Sequence, residues 1–202
     1  QKQRRGLNEN LAREILELHT LGYGAGYTEA DIYEMARALS GHSYFRLWEG
    51  ENNRNGGTYE NREQYIYRDD WHEPGRRRIL GRRYAGRAGQ LSQVLNDLAL
   101  HPATAQHIAF KLVLHFLTDT PTPDLVDPIA RAFLDSGGDL AATATALITL
   151  PQSWTLPQTK LRTPYELMVA QARAMNRVWH EEDLWLLDQI LDALGQRPGY
   201  WE

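Results

Sequence analysis

The sequence predicts an all-α fold, a multi-helix bundle carrying one long loop or β-hairpin insertion at about residues 41–87. Three observations carry this reading. Apolar residues recur at helical spacing along most of the chain. Pro and Gly punctuate almost every boundary between the periodic segments. Residues 40–87 lose the period and become rich in Gly, Asn, Arg and aromatic side chains.

The first helix follows from Leu7, Leu11, Ile15 and Leu18, which form one stripe at spacings of four, four and three. Glu14 and His19 flank the stripe on opposite sides, Glu14 at roughly 55° from its centre and His19 at roughly 85°. A carboxylate so close to a buried stripe needs a partner, because a lone buried charge is costly. Gly22, Gly24 and Gly26 then form a turn, and a second helix runs from Thr28 to about Leu39 with Ile32, Met35, Ala36 and Leu39 as its apolar face. Thr28 and Asp31 make a capping box with Asp in the usual place of Glu.

Within the insertion, Gly56-Gly57 turns a short hairpin with Tyr65-Ile66-Tyr67 as one strand. Long loops in compact domains are often functional. Helices resume at about 88–100, 102–117, 123–136, 139–150, 163–178 and 181–195. Pro102 suits a first helical position. Asp119-Thr120-Pro121-Thr122-Pro123, Ser136-Gly137-Gly138 and Pro151 to Pro157 are the separators. Short connections favour antiparallel neighbours. No internal repeat or low-complexity segment is visible, and residues 1–202 read as one helical domain.

Composition narrows the function classes. At 202 residues and 42% apolar content, the chain is globular. A net charge of −4 argues against nucleic acid as a partner. No apolar run reaches the ~18 residues of a membrane span. With no cysteine, disulfides, thiolate metal sites and a cysteine nucleophile are excluded. The start, Gln1-Lys2-Gln3-Arg4-Arg5-Gly6, has no initiator Met and no apolar stretch. It reads as a fragment or a processed chain.

Several residues are candidates for chemistry. Asn10, Glu14 and Glu17 share a ridge that can offer oxygens to a hard cation. The favoured alternative pairs Glu14 with Arg37 or Lys111 inside the bundle. Glu14 and His19 lie too far apart around the helix to chelate one ion, and no strong metal motif is present, so no metal or cofactor is specified. His72 is the foremost candidate base, with Asp69, Asp70 and Glu73 nearby to orient it. It can equally cap a turn beside Trp71 and Pro74. His107, Lys111 and His115 form a ridge in which the lysine disfavours a metal. None of the five serines lies in Gly-x-Ser-x-Gly. Arg76, Arg77, Arg78, Arg82, Arg83 and Arg87, close to Trp71 and Tyr84, are the strongest local charge feature. Their forks suit an acidic polymer or acidic protein. The alternative is a solvated face balanced by Glu60, Glu63, Asp69 and Asp70.

Blocks spread over nearly the whole chain resemble one family. They are Asn8-Glu9-Asn10, Ala12-Arg13-Glu14, Glu17 to Gly22, Gly26-Tyr27-Thr28, and Ala36 to Leu39 with Gly41. His72-Glu73-Pro74-Gly75, Ile79-Leu80-Gly81, His101 to Ala105 with Lys111-Leu112, and Lys160, Pro164, Glu166 and Arg173 complete the set. The sequence is similar to the bacterial family known as domain of unknown function 1800, and looks like the C-terminal half of a longer family domain. Glu73, Arg77 and His42 depart from the family's usual Asp, Lys and Trp. The resemblance implies export, to the periplasm or outside the cell, and supplies no reaction.

Two functions follow as expectations. The first is an exported binding or assembly module for a partner protein or acidic glycan, with Arg76, Arg77, Arg78, Trp71, Asn10 and His19 as contacts. The second is a hydrolase-like enzyme, with or without metal assistance, with His72 and Glu14 at its centre, Lys111 or Arg37 as electrostatic stabiliser and Asn10 as a positioning group.

Overall fold

The computed structural model describes residues 6–44, 65–86, 89–157, 159–197 and 199. Its order is α1 (Glu9–Glu14), a π-helical turn (Ile15–His19), α2 (Glu29–Leu39), β1 (His42–Tyr44), β2 (Tyr65–Tyr67), a 3₁₀ turn (Asp69–Trp71), β3 (Arg77–Ile79) and β4 (Arg82–Tyr84). Then come α3 (Gln90–Ala99), α4 (Pro102–Phe116), α5 (Pro123–Asp135), α6 (Leu140–Thr149), α7 (Gln152–Thr155), α8 (Pro164–Ala174), a 3₁₀ turn (Glu181–Asp183) and α9 (Leu184–Ala193). The predicted bundle with a β insertion is therefore observed.

Local chemistry explains most boundaries. Thr28 and Asp31 close the expected capping box on α2, and Thr163 with Glu166 does the same on α8. Pro102, Pro123 and Pro164 open α4, α5 and α8, where the missing N–H costs nothing. Asp139 caps α6 by accepting from the Ala142 amide at 2.7 Å.

Among the described residues, the insertion holds two antiparallel ribbons. β1 pairs with β2, His42 opposite Tyr67. β3 pairs with β4, Arg77 opposite Tyr84 and Arg78 opposite Arg83. Tyr65–Tyr67 is a strand as expected, while Gly56-Gly57, Glu60, Glu63 and Arg87 lie outside the described residues. The β3–β4 ribbon is a hairpin that the sequence analysis does not anticipate. Leu80 and Gly81, at φ +48° and +77°, form its two-residue turn. Asp31 accepts from the Leu80 amide at 2.8 Å and so ties this unusual leucine conformation to α2.

Among the described residues, most buried apolar side chains fall into two clusters. One joins α1, α2, the β3–β4 ribbon and α3 through Leu16, Ile32, Met35, Ile79, Val94 and Leu98. The other joins α4, α5 and α6 through Ala109, Val113, Ile129, Phe133 and Leu147. The phase of α1 corrects the sequence expectation. Ala12 and Leu16 are fully buried, whereas Leu11 and Leu18 are 41% and 55% exposed. The π-helical turn begins at Ile15 and shifts the register partway along the segment.

Candidate functional site

The rotated first helix changes the standing of its candidates. Glu14 is exposed and makes no ion pair among the described residues. It pairs with neither Arg37 nor Lys111, and needs no partner because it is solvated. Asn10 and His19 are also exposed. Arg37 is spent on Glu34 at 2.8 Å and on the Pro74 carbonyl at 3.3 Å. Lys111 stands exposed on α4. The cleft lined by His72 includes none of Glu14, Lys111 and Arg37. The structure does not assemble the four predicted catalytic residues. Among the described residues no three His, Cys, Asp or Glu side chains come together to hold a metal.

His72 lies at the junction between the end of α2 and the segment that follows β2. Its Nδ1 donates to the Ser40 carbonyl at 2.8 Å. A carbonyl only accepts, so Nδ1 carries a proton in this contact. Nε2 is buried without a hydrogen-bond partner among the described residues. Ser40 is equally committed, because its Oγ donates to the Arg37 carbonyl at 2.6 Å and accepts the Glu73 amide at 2.8 Å. A serine nucleophile activated by His72 is not formed.

Aromatic rings continue the junction. Tyr67 lies 5.6 Å from His72 and 5.0 Å from His42, centroid to centroid. His42 Nδ1 shares a 2.6 Å hydrogen bond with the Tyr65 hydroxyl. Burial, and to a lesser degree the charge of His72, hold the His42 imidazole below its ordinary pKa. Gly41, at φ +84°, lets the chain pass, since a Cβ there would sit 2.7 Å from the Arg68 carbonyl oxygen. The cleft beside these groups measures about 660 Å³ and is lined by Asn8, Leu11, Leu39, Trp71, His72 and Glu73 among others. The Arg68 guanidinium covers one face of Trp71 at 4.0 Å.

The arginine run separates into two populations. Arg77 is 1% exposed and faces inward. Its Nη1 donates to the carbonyls of Pro74, Gly75 and Arg76, and its Nη2 donates to that of Glu73. Burial, followed by repulsion from Arg37, lowers its pKa, while Glu34 and Glu73 oppose the shift. Arg77 is thus a post around which residues 73–76 are wound, and the expectation that it contacts a ligand is corrected. Strand alternation is the cause, because residue 77 points to the core and residues 76 and 78 point outward. Arg76, Arg78 and Arg83 are exposed. Arg82 is held by Asp97 at 2.6 Å.

A second concavity was not legible in the sequence. Two hollows of about 560 and 600 Å³ share Arg162 and Glu166, and so form one groove running from α4 and α7 along α8. Phe116, Trp154, Leu161, Tyr165 and Val169 supply its apolar surface. Asp119 holds one wall by accepting from Lys160 Nζ and from the Leu161 amide, both at 2.8 Å. The Glu166 carboxylate is occupied by the Thr163 amide at 2.8 Å. Arg162 and Arg173 make no ion pair among the described residues. The missed signal was the scarcity of apolar positions that α8 and α9 bury, Ala172 and Leu191 alone.

Among the described residues no helix is long and apolar enough to cross a membrane. In comparison with known proteins, the model of one family, described as Protein of unknown function (DUF1800), matches residues 1–202. No curated protein and no solved structure matches the chain.

Proposed function

Given that the chain belongs to the DUF1800 family, we propose that it is a binding or assembly module which docks a partner protein in the groove along α8. The observation that carries this reading is the unpartnered apolar surface of the C-terminal helices. Trp154 and Leu161 are 77% and 79% exposed. Tyr165 and Val169 add to the same exposure. Scattered apolar residues are normal on a surface, but a contiguous apolar groove rimmed by charge marks an interaction site.

The charges select the partner's chemistry. Arg162 precedes α8 and Arg173 lies in its last turn, so two unpaired guanidiniums bracket an apolar ridge about 16 Å long at ~1.5 Å per residue. An amphipathic helix with an apolar stripe and acidic residues near both ends fits this arrangement. We propose that the partner is itself an exported protein, in keeping with the export expected from the family resemblance.

The test is titration of the full chain with a synthetic acidic amphipathic helix, followed by tryptophan fluorescence. Binding is expected at micromolar affinity, with Val169→Asp abolishing it at unchanged melting temperature because Val169 is on the surface. Equal binding of a scrambled peptide, or no binding by acidic and basic helices alike, would overturn the reading.

A further inference from the structure

We infer that the outward face of the β3–β4 ribbon is an oxyanion clamp, in which Arg78 and Arg83 together hold one sulfate or phosphate group. This site is separate from the α8 groove. Arg78 and Arg83 are direct cross-strand partners. Their Cβ atoms are therefore ~4.5–5.5 Å apart on one face, a spacing at which like charges destabilise a ribbon. Both side chains are exposed, and neither makes a hydrogen bond or ion pair among the described residues. Arg76, also exposed, adds a third guanidinium two residues before Arg78.

The acids that meet the reverse face of the ribbon are already committed. Asp97 on α3 accepts from Arg82 at 2.6 Å and from the Tyr84 hydroxyl at 2.7 Å. Glu34 on α2 is paired with Arg37 at 2.8 Å and approaches Arg77 at 3.9 Å. With no acid paired to it among the described residues, the opposed pair is left for an anion from outside. A single guanidinium fork matches the two oxygens of a carboxylate. Two forks side by side offer enough donors for a tetrahedral group, whose oxygens can be shared between them. The backing is rigid, because Arg77 and Tyr84, on the reverse face of the same ribbon, are buried.

Sulfated glycans and phosphorylated ligands share this chemistry, and the experiment separates them. The full chain is titrated with dextran sulfate, polyphosphate, polygalacturonate and uncharged dextran, and its melting temperature is followed with inorganic sulfate and inorganic phosphate. Tight binding of dextran sulfate with weak binding of polyphosphate identifies a sulfated glycan. The reverse identifies a phosphorylated ligand. Either supports the clamp, provided Arg83→Gln weakens binding at least tenfold and abolishes the anion-dependent rise in melting temperature. Arg83→Gln is expected to keep or raise the melting temperature in anion-free buffer, because it removes a like-charge contact. Polygalacturonate binding as tightly as dextran sulfate, Arg83→Lys binding as well as wild type, or Arg83→Gln responding to anions like wild type would each overturn the proposal. Arg131→Gln, at an exposed arginine on α5 outside both sites, serves as the control and should leave these affinities unchanged.

Discussion

The Ser40 carbonyl accepts the Nδ1 proton of His72 at 2.8 Å, and that contact decides what the histidine is available for. One ring nitrogen is spent on the end of α2 and the other is buried. Ser40 reaches back through its Oγ to the Glu73 amide. The pair is a latch that fastens residues 68–77 to α2.

The latch predicts coupled stability losses. Ser40→Ala and His72→Ala should each destabilise the chain by about 0.5–1.5 kcal/mol, the net worth of a part-buried hydrogen bond. Because both remove parts of one network, the double variant should cost less than the sum. Denaturant unfolding of the three variants checks this. Full stability in His72→Ala would refute the latch.

Arg77 predicts a larger effect. Removing the guanidinium in Arg77→Ala takes a donor from the carbonyls of Glu73, Pro74, Gly75 and Arg76, of which Pro74 keeps Arg37 and Gly75 keeps Gln90, and opens a cavity. A loss of about 3 kcal/mol or more is expected. Arg78→Ala, on the solvent face of the same ribbon, should change stability by about 0.5 kcal/mol or less. Thermal unfolding of the two variants side by side separates inward from outward arginine.

His42 predicts an acid-sensitive stability. Its pKa is depressed in the folded chain, first by burial and then by His72, so the unfolded chain binds the proton more readily. Its contribution is complete above the unfolded value of about 6.5. It is lost as pH falls through the depressed folded value. Melting temperature measured from pH 7.5 downward should decline, and His42→Phe should flatten that decline.

Much of the architecture was legible because its signals are local. Thr28 with Asp31, Pro102, Pro123 and the Gly137-Gly138 break act on backbone groups within a few residues, so the helices they bound sit within a few residues of their predicted places. Glu14 and Arg77 were misplaced for the opposite reason. Apolar spacing marks a stripe but not which flank of it meets a neighbour, and the burial of Ala12 beside α2 turned Glu14 to solvent. In the arginine run, three like residues in a row carry no mark of strand phase, and pairing with β4 sent Arg77 inward.

By itself, then, the sequence determined the helical class, most element boundaries, the family and the position of the insertion, because caps, prolines and helical periods act over a few residues. Only the tertiary structure decided that His72 is fastened to Ser40, that Arg78 faces Arg83, and that Arg162 and Arg173 bracket an open apolar ridge. Those relationships depend on strand register and on which faces find a partner, and both are settled between segments distant in the chain.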